Sequence, residues 1–143
     1  MSVPTPTTAP TAAVSKTSLW AGRILSGLAI AVFVFTGLFW LLKPAVAAQG
    51  FAHYGYPDSA ALPIALVETA CVIVYAIPRT SVLGAILLTG YLGGATATHV
   101  RAGEPFFLPI VVGIVIWLGL FLRDGQLRAH IPWRRPKATS QIP

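Results

Sequence analysis

Four apolar stretches, each about as long as a bilayer is thick, constrain this chain more than any other feature. They are ILSGLAIAVFVFTGLFWLL (24–42), SAALPIALVETACVIVYAI (59–77), TSVLGAILLTGYLGGATATHV (80–100) and PFFLPIVVGIVIWLGLFL (105–122). A helix rising ~1.5 Å per residue needs ~20 residues to cross ~30 Å of hydrocarbon, and these run for 18 to 21. Arg23 and Lys43-Pro44 bound the first, Pro78-Arg79 closes the second, and Arg123-Asp124 closes the fourth. A soluble domain of 143 residues could not cover its surface with 10% charged residues at a mean hydropathy of +0.74. The expected fold class is all-α, an integral-membrane four-helix bundle over residues 19–124. A tail at 1–18, rich in Thr, Pro and Ala without an apolar period, is expected to be disordered. The tail at 125–143 alternates cations with Leu127, Ile131 and Trp133 and reads as a segment lying on an anionic membrane surface.

Lys and Arg fix the expected orientation. With four spans, the N-terminal tail, the Arg79 turn and the C-terminal tail share one side. That side holds Lys16, Arg23, Arg79, Arg123, Arg128, Arg134, Arg135 and Lys137, while only Lys43 and Arg101 lie on the other. Cations in short loops stay cytoplasmic, so both termini are expected there. The same asymmetry accounts for the net charge of +6 without a nucleic-acid partner. Ala45-Val46-Ala47 could be cut by a signal peptidase, but the preceding apolar run is longer than a signal h-region and its polar lead carries little charge. No internal repeat is evident, so an inverted-repeat transporter lacks direct support. The lone Cys71 excludes an internal disulfide and a CxxC redox pair, and no cluster has metal-ligand spacing.

The candidate chemistry lies in the second and third spans. Glu68 sits near mid-membrane, where an acid costs about 2.5–3.5 kcal/mol and must face the bundle interior with a partner or be protonated. Glu68, Cys71, Tyr75 and Arg79 form one helical stripe. In the third span Gly90, Gly94 and Thr98 form a small-residue stripe of the kind that lets another helix pack closely. Beside it run Tyr91, Ala95 and His99. A polar cluster of Glu68, Tyr91 and His99 is expected, with Tyr91 nearer than His99 to the depth of Glu68. The acid reads either as a structural hydrogen-bonding group or as a proton-carrying or ligand-contacting one.

The connection PAVAAQGFAHYGYPD (44–58) carries Phe51, His53, Tyr54, Tyr56 and Asp58. It is too apolar to be freely solvated and suits an interfacial loop over the outer mouth of the bundle. His53 and His99 share that side. Bis-His haem usually takes two histidines on facing spans, and only His99 is span-borne, which disfavours haem. Arg101 and Glu104 read as a solvated pair or a lipid contact.

Together, HYGYP after span one, LVETA in span two and TGYLGGATATHVRAGEP at the end of span three resemble the DoxX-like family of small four-span bacterial membrane proteins. The resemblance covers about residues 20–123. It implies a four-helix bundle in the bacterial inner membrane and nominates Glu68 and His99. Some relatives are membrane subunits of thiosulfate:quinone oxidoreductases, so the resemblance points to quinone as a possible cofactor and to a redox-complex partner. With Cys71 its lone cysteine and no soluble redox domain evident, the sequence lacks the groups expected to supply sulfur chemistry itself. A quinone-linked membrane subunit is therefore weighed against a non-catalytic accessory or assembly subunit. A small-solute or proton transporter is the third alternative. A homo-oligomer is compatible with each.

Overall fold

The structure, a computed structural model, describes residues 15–130. Every regular element among them is helical: α1 (Lys16–Leu42), α2 (Pro44–His53), a 3₁₀ turn (Asp58–Ala60), α3 (Ala61–Ala76), α4 (Ser81–Ala102), α5 (Phe107–Arg123) and α6 (Gly125–His130). The all-α expectation holds. Residues 1–14 and 131–143, which include most of the expected disordered tail and much of the basic tail, lie outside the described residues.

Two boundaries correct the sequence reading, each for a local reason. First, α1 starts at Lys16, inside the tail expected to be disordered. Ser15 caps it, its hydroxyl accepting from Ser18 N–H at 3.2 Å. Second, the connection after α1 is not a plain loop. Pro44 stops α1 but occupies the first turn of α2, where its missing N–H costs nothing. One proline thus ends one helix and starts the next.

The four long helices touch in a closed circuit, α1 to α3 to α4 to α5 and back to α1. The core between them includes Phe33, Val72, Tyr75, Leu88, Ile116 and Leu120. Two contacts bring backbones together. A Cβ on Gly84 would collide with the backbone of Tyr75, and one on Gly119 would sit 2.7 Å from Ser26 Oγ. The buried Tyr75 hydroxyl then reaches Ser26 Oγ at 3.0 Å and the Ile116 carbonyl at 3.1 Å, so the α1–α3–α5 junction is hydrogen-bonded as well as packed. At this end Arg128 of α6 donates to Ser18 Oγ and to the Phe121 and Leu122 carbonyls, tying the last turn of α5 to the first turn of α1.

The outward faces are as apolar as the inward ones. Phe35 is 71% exposed and Leu108 73%. A helix hydrophobic all round belongs in a core or a membrane, and among the described residues these faces have no core to enter. By length and composition α1 and α4 can cross a membrane; α3 and α5 are apolar but shorter.

Candidate functional site

The site begins with Glu68. On α3 it is 5% exposed, and both carboxyl oxygens are engaged. Tyr91 Oη of α4 donates to Oε2 at 2.7 Å. Thr36 Oγ1 of α1 lies 3.0 Å from Oε1 and also 3.0 Å from the Phe33 carbonyl of its own helix. Hydrogen bonds to a charged group contribute about 1.5–3 kcal/mol each, so two of them offset much of the cost of burying a carboxyl. Phe33 packs edge-on to the Tyr91 ring, with centroids 6.3 Å apart, and holds it in place.

Near the ends of α2 and α4 the chain makes the same turn twice. Each helix is followed within two residues by a glycine with positive φ, Gly55 at +74° and Gly103 at +73°. In each, the residue after the glycine donates back five residues, Tyr56 N–H to Phe51 O at 2.9 Å and Glu104 N–H to His99 O at 3.0 Å. This glycine-terminated ending folds the chain back over its own last turn. It returns Glu104 to the neighbourhood of His99, and places Tyr54 and Tyr56 opposite them.

Glu104 becomes a hub. It accepts from Tyr54 Oη at 2.7 Å on Oε2, lies 2.8 Å from His53 Nε2 through Oε1, and has His99 Nδ1 3.3 Å from Oε2. The hydrogen bond from Tyr54, then that from His53, pulls the Glu104 carboxyl below its ordinary value; burial opposes them, and His99 adds a weaker pull downward. The same bond, with burial and the carboxylate charge, pushes the Tyr54 phenol up. Two further ties hold the segment: Arg101 Nη2 donates to the Tyr54 carbonyl at 2.6 Å, and the Tyr56 and Thr98 hydroxyls lie 2.8 Å apart.

Between Tyr91 and the hub lies a cavity of about 400 Å³, within the range of small-molecule sites. Gly90, Gly94 and Ala95 form its α4 side, and Trp40, Phe51 and Ile64 supply apolar wall. Tyr91, Tyr54 and His99 bring polar groups to it. A larger groove of about 670 Å³ between α4 and α5 is almost wholly apolar, with Trp117 Nε1 donating to Thr89 Oγ1 at 2.9 Å beside it.

The candidates from sequence are thus redistributed. Glu68 and Tyr91 meet, while His99 stands apart from Glu68, bound instead to the Glu104 hub; the single cluster is two, joined by a cavity that both line. Gly90 and Gly94 do not bring another helix of this chain close, since no atom outside their own turn lies within 4 Å of where their Cβ would be. They leave the cavity open instead. Thr98 donates to the Gly94 carbonyl at 3.0 Å as well as meeting Tyr56. His53 reaches the hub, and Arg101 bonds the Tyr54 carbonyl rather than pairing with Glu104. The sequence reading missed Thr36, Trp40 and the central role of Glu104. Thr36 carried one signal, as a polar side chain deep in the otherwise apolar stretch VFVFTGLFW.

A family model described as the DoxX-like family matches residues 24–120. No curated protein matches the chain. No solved structure matches it either.

Proposed function

The chain belongs to the DoxX-like family, and from that premise we propose that it is a small multi-pass protein of a bacterial inner membrane whose cavity binds a quinone headgroup, as the membrane subunit of a quinone-linked redox system. Family membership and the apolar helices α1 and α4 support a membrane protein. In this reading α1, α3, α4 and α5 are the spans and both termini are cytoplasmic. α2 lies along the opposite surface, where Trp40, Phe51 and Tyr56 suit the headgroup level.

One observation carries the ligand reading. The cavity places an apolar, aromatic-walled space between two polar groups, the Tyr91 phenol and the His99 imidazole. A ring bearing an oxygen at each end needs both features, apolar faces and polar ends. Behind Tyr91 stands a carboxyl, and behind His99 stands another. Each gives its partner a route for proton exchange.

The test is extraction of the protein purified in mild detergent, comparing bound quinone in wild type, Tyr91→Phe and His99→Ala. Stoichiometric ligand in wild type, quinone and quinol counted together, that falls in both variants is expected. A total no higher than in an unrelated four-span membrane protein would sink the reading.

A second reading has its own observation. Both Glu68 oxygens are engaged by neighbouring helices, the arrangement of an acid that only holds α1, α3 and α4 together. An accessory subunit of this kind predicts that Glu68→Gln and His99→Asn keep the activity of the parent complex while lowering thermal stability. The quinone-linked reading predicts that activity falls in a variant that still folds.

A further inference from the structure

We propose that the cavity prefers the reduced, hydroxyl-bearing form of its ring ligand, a quinol, over the quinone, and that Glu104 is the positioning residue that sets this preference through His99. This deepens the ligand reading above and rests on it.

The argument follows the hydrogens. At the inner end Tyr91 has one hydroxyl hydrogen, and it goes to Glu68 Oε2 at 2.7 Å. That holds when Glu68 is ionised and when it carries its proton on Oε1. In the neutral acid the proton on Oε1 goes to Thr36 Oγ1, whose own hydrogen goes to the Phe33 carbonyl. In both states Tyr91 Oη has only lone pairs left to offer, so it meets a ligand as an acceptor.

The outer end resolves in the same way. The Tyr54 hydroxyl hydrogen is used on Glu104 Oε2 at 2.7 Å. The neighbours of His99 Nδ1, Glu104 Oε2 at 3.3 Å and Tyr54 Oη at 3.5 Å, are therefore both acceptors. Nδ1 must carry the hydrogen. In the neutral imidazole Nε2 is then bare, an acceptor without a protein partner among the described residues. A carboxylate fixing the far nitrogen of an imidazole is the usual way a protein sets which tautomer faces a ligand.

The spacing fits a ring between these acceptors. Tyr91 and His99 are eight residues apart on one stripe of α4, about 12 Å of helical rise. A six-membered ring with para oxygens, extended at each end by a hydrogen bond of ~2.8 Å, spans a comparable length. Gly90, Gly94 and Ala95 line the cavity between them, and a Cβ on either glycine would meet nothing within 4 Å. A quinol donates at both ends. A quinone brings two more acceptors and leaves four lone-pair groups facing each other without a proton, a mismatch that costs desolvation without return.

The test is an anaerobic titration of the full chain in lipid nanodiscs with a short-chain alkyl benzoquinol and, separately, the corresponding quinone. Two net hydrogen bonds of about 1 kcal/mol each correspond to about thirty-fold tighter binding of the quinol. Glu104→Gln can offer an amide N–H to Nδ1, which turns Nε2 into a donor, so the preference should collapse toward parity while Tyr91→Phe weakens the quinol alone. An independent readout needs no ligand: ¹⁵N NMR of His99 should report the Nδ1–H tautomer in wild type and its loss in Glu104→Gln. Equal affinities, tighter quinone binding, or an Nε2–H tautomer in wild type would overturn the preference and leave the cavity's role standing. Binding of neither form would overturn both.

Discussion

Removing the Tyr91 hydroxyl would leave Glu68 Oε2 buried without its donor. An unsatisfied buried acceptor costs about 1–3 kcal/mol, so Tyr91→Phe should be destabilised by that amount in a chemical-denaturation assay in detergent. Glu68→Gln, which keeps the shape and can still accept from Tyr91, should lose less. Glu104 is a solvent-side case and its effect is read through pH. Its carboxyl is held below the ordinary value of 4.5, so its contribution is present above that value and is lost as pH falls through the lowered one. Hydrogen exchange of residues 50–56, corrected for intrinsic rates, should rise as pH falls below the ordinary carboxylate range, where the hub loses the charge on Glu104. The two carboxyls also differ in how legible they were. Glu68 declared itself, because an acid amid apolar residues has few affordable explanations, and Tyr91 lay at its depth. Glu104 looked like an ordinary turn residue beside Arg101. Its role depends on the chain reversing at Gly103, and a spacing rule for straight helices does not see that reversal.

At the scale of the element, two glycines on α4 give opposite predictions. A Cβ on Gly84 meets the Tyr75 backbone, whereas one on Gly94 meets nothing within 4 Å. Gly84→Ala should therefore force α3 and α4 apart and lose about 1–3 kcal/mol of stability, as overpacking does. Gly94→Ala should be neutral or gain up to about 1 kcal/mol through helix propensity. Thermal unfolding of the two variants side by side checks this, and equal losses would contradict the packing described for α4. The sequence pattern pointed to the wrong glycines for a physical reason. A small-residue stripe permits close approach, but whether a helix or a cavity fills the space depends on where α2 and α3 lie. The four long helices were legible because apolar length and bounding charges set them independently of their partners. α2 was not, since Pro44 reads as a stop signal until it is seen at the start of a new helix.

For the whole molecule, the distribution of Lys and Arg sets the proposed arrangement across the membrane. Cysteines introduced at Arg79 and Lys43 should label from opposite sides of sealed vesicles, Arg79 from the cytoplasmic one, against a native Cys71 that is 6% exposed and should stay silent. Labelling of both from one side would break the four-span arrangement. The molecule then has apolar faces toward lipid, a hydrogen-bonded α1–α3–α5 junction at one end, and a capped cavity at the other. The central claim is that this cavity, not the apolar groove between α4 and α5, receives the ring. A photoreactive azidoquinone, cross-linked to the protein in membranes and mapped by peptide mass spectrometry, tests it most directly. Adducts confined to residues 50–56 and 90–99, and lost with Gly94→Trp, are the expected result. Adducts along the groove beside Trp117, or labelling that Gly94→Trp does not change, would contradict it.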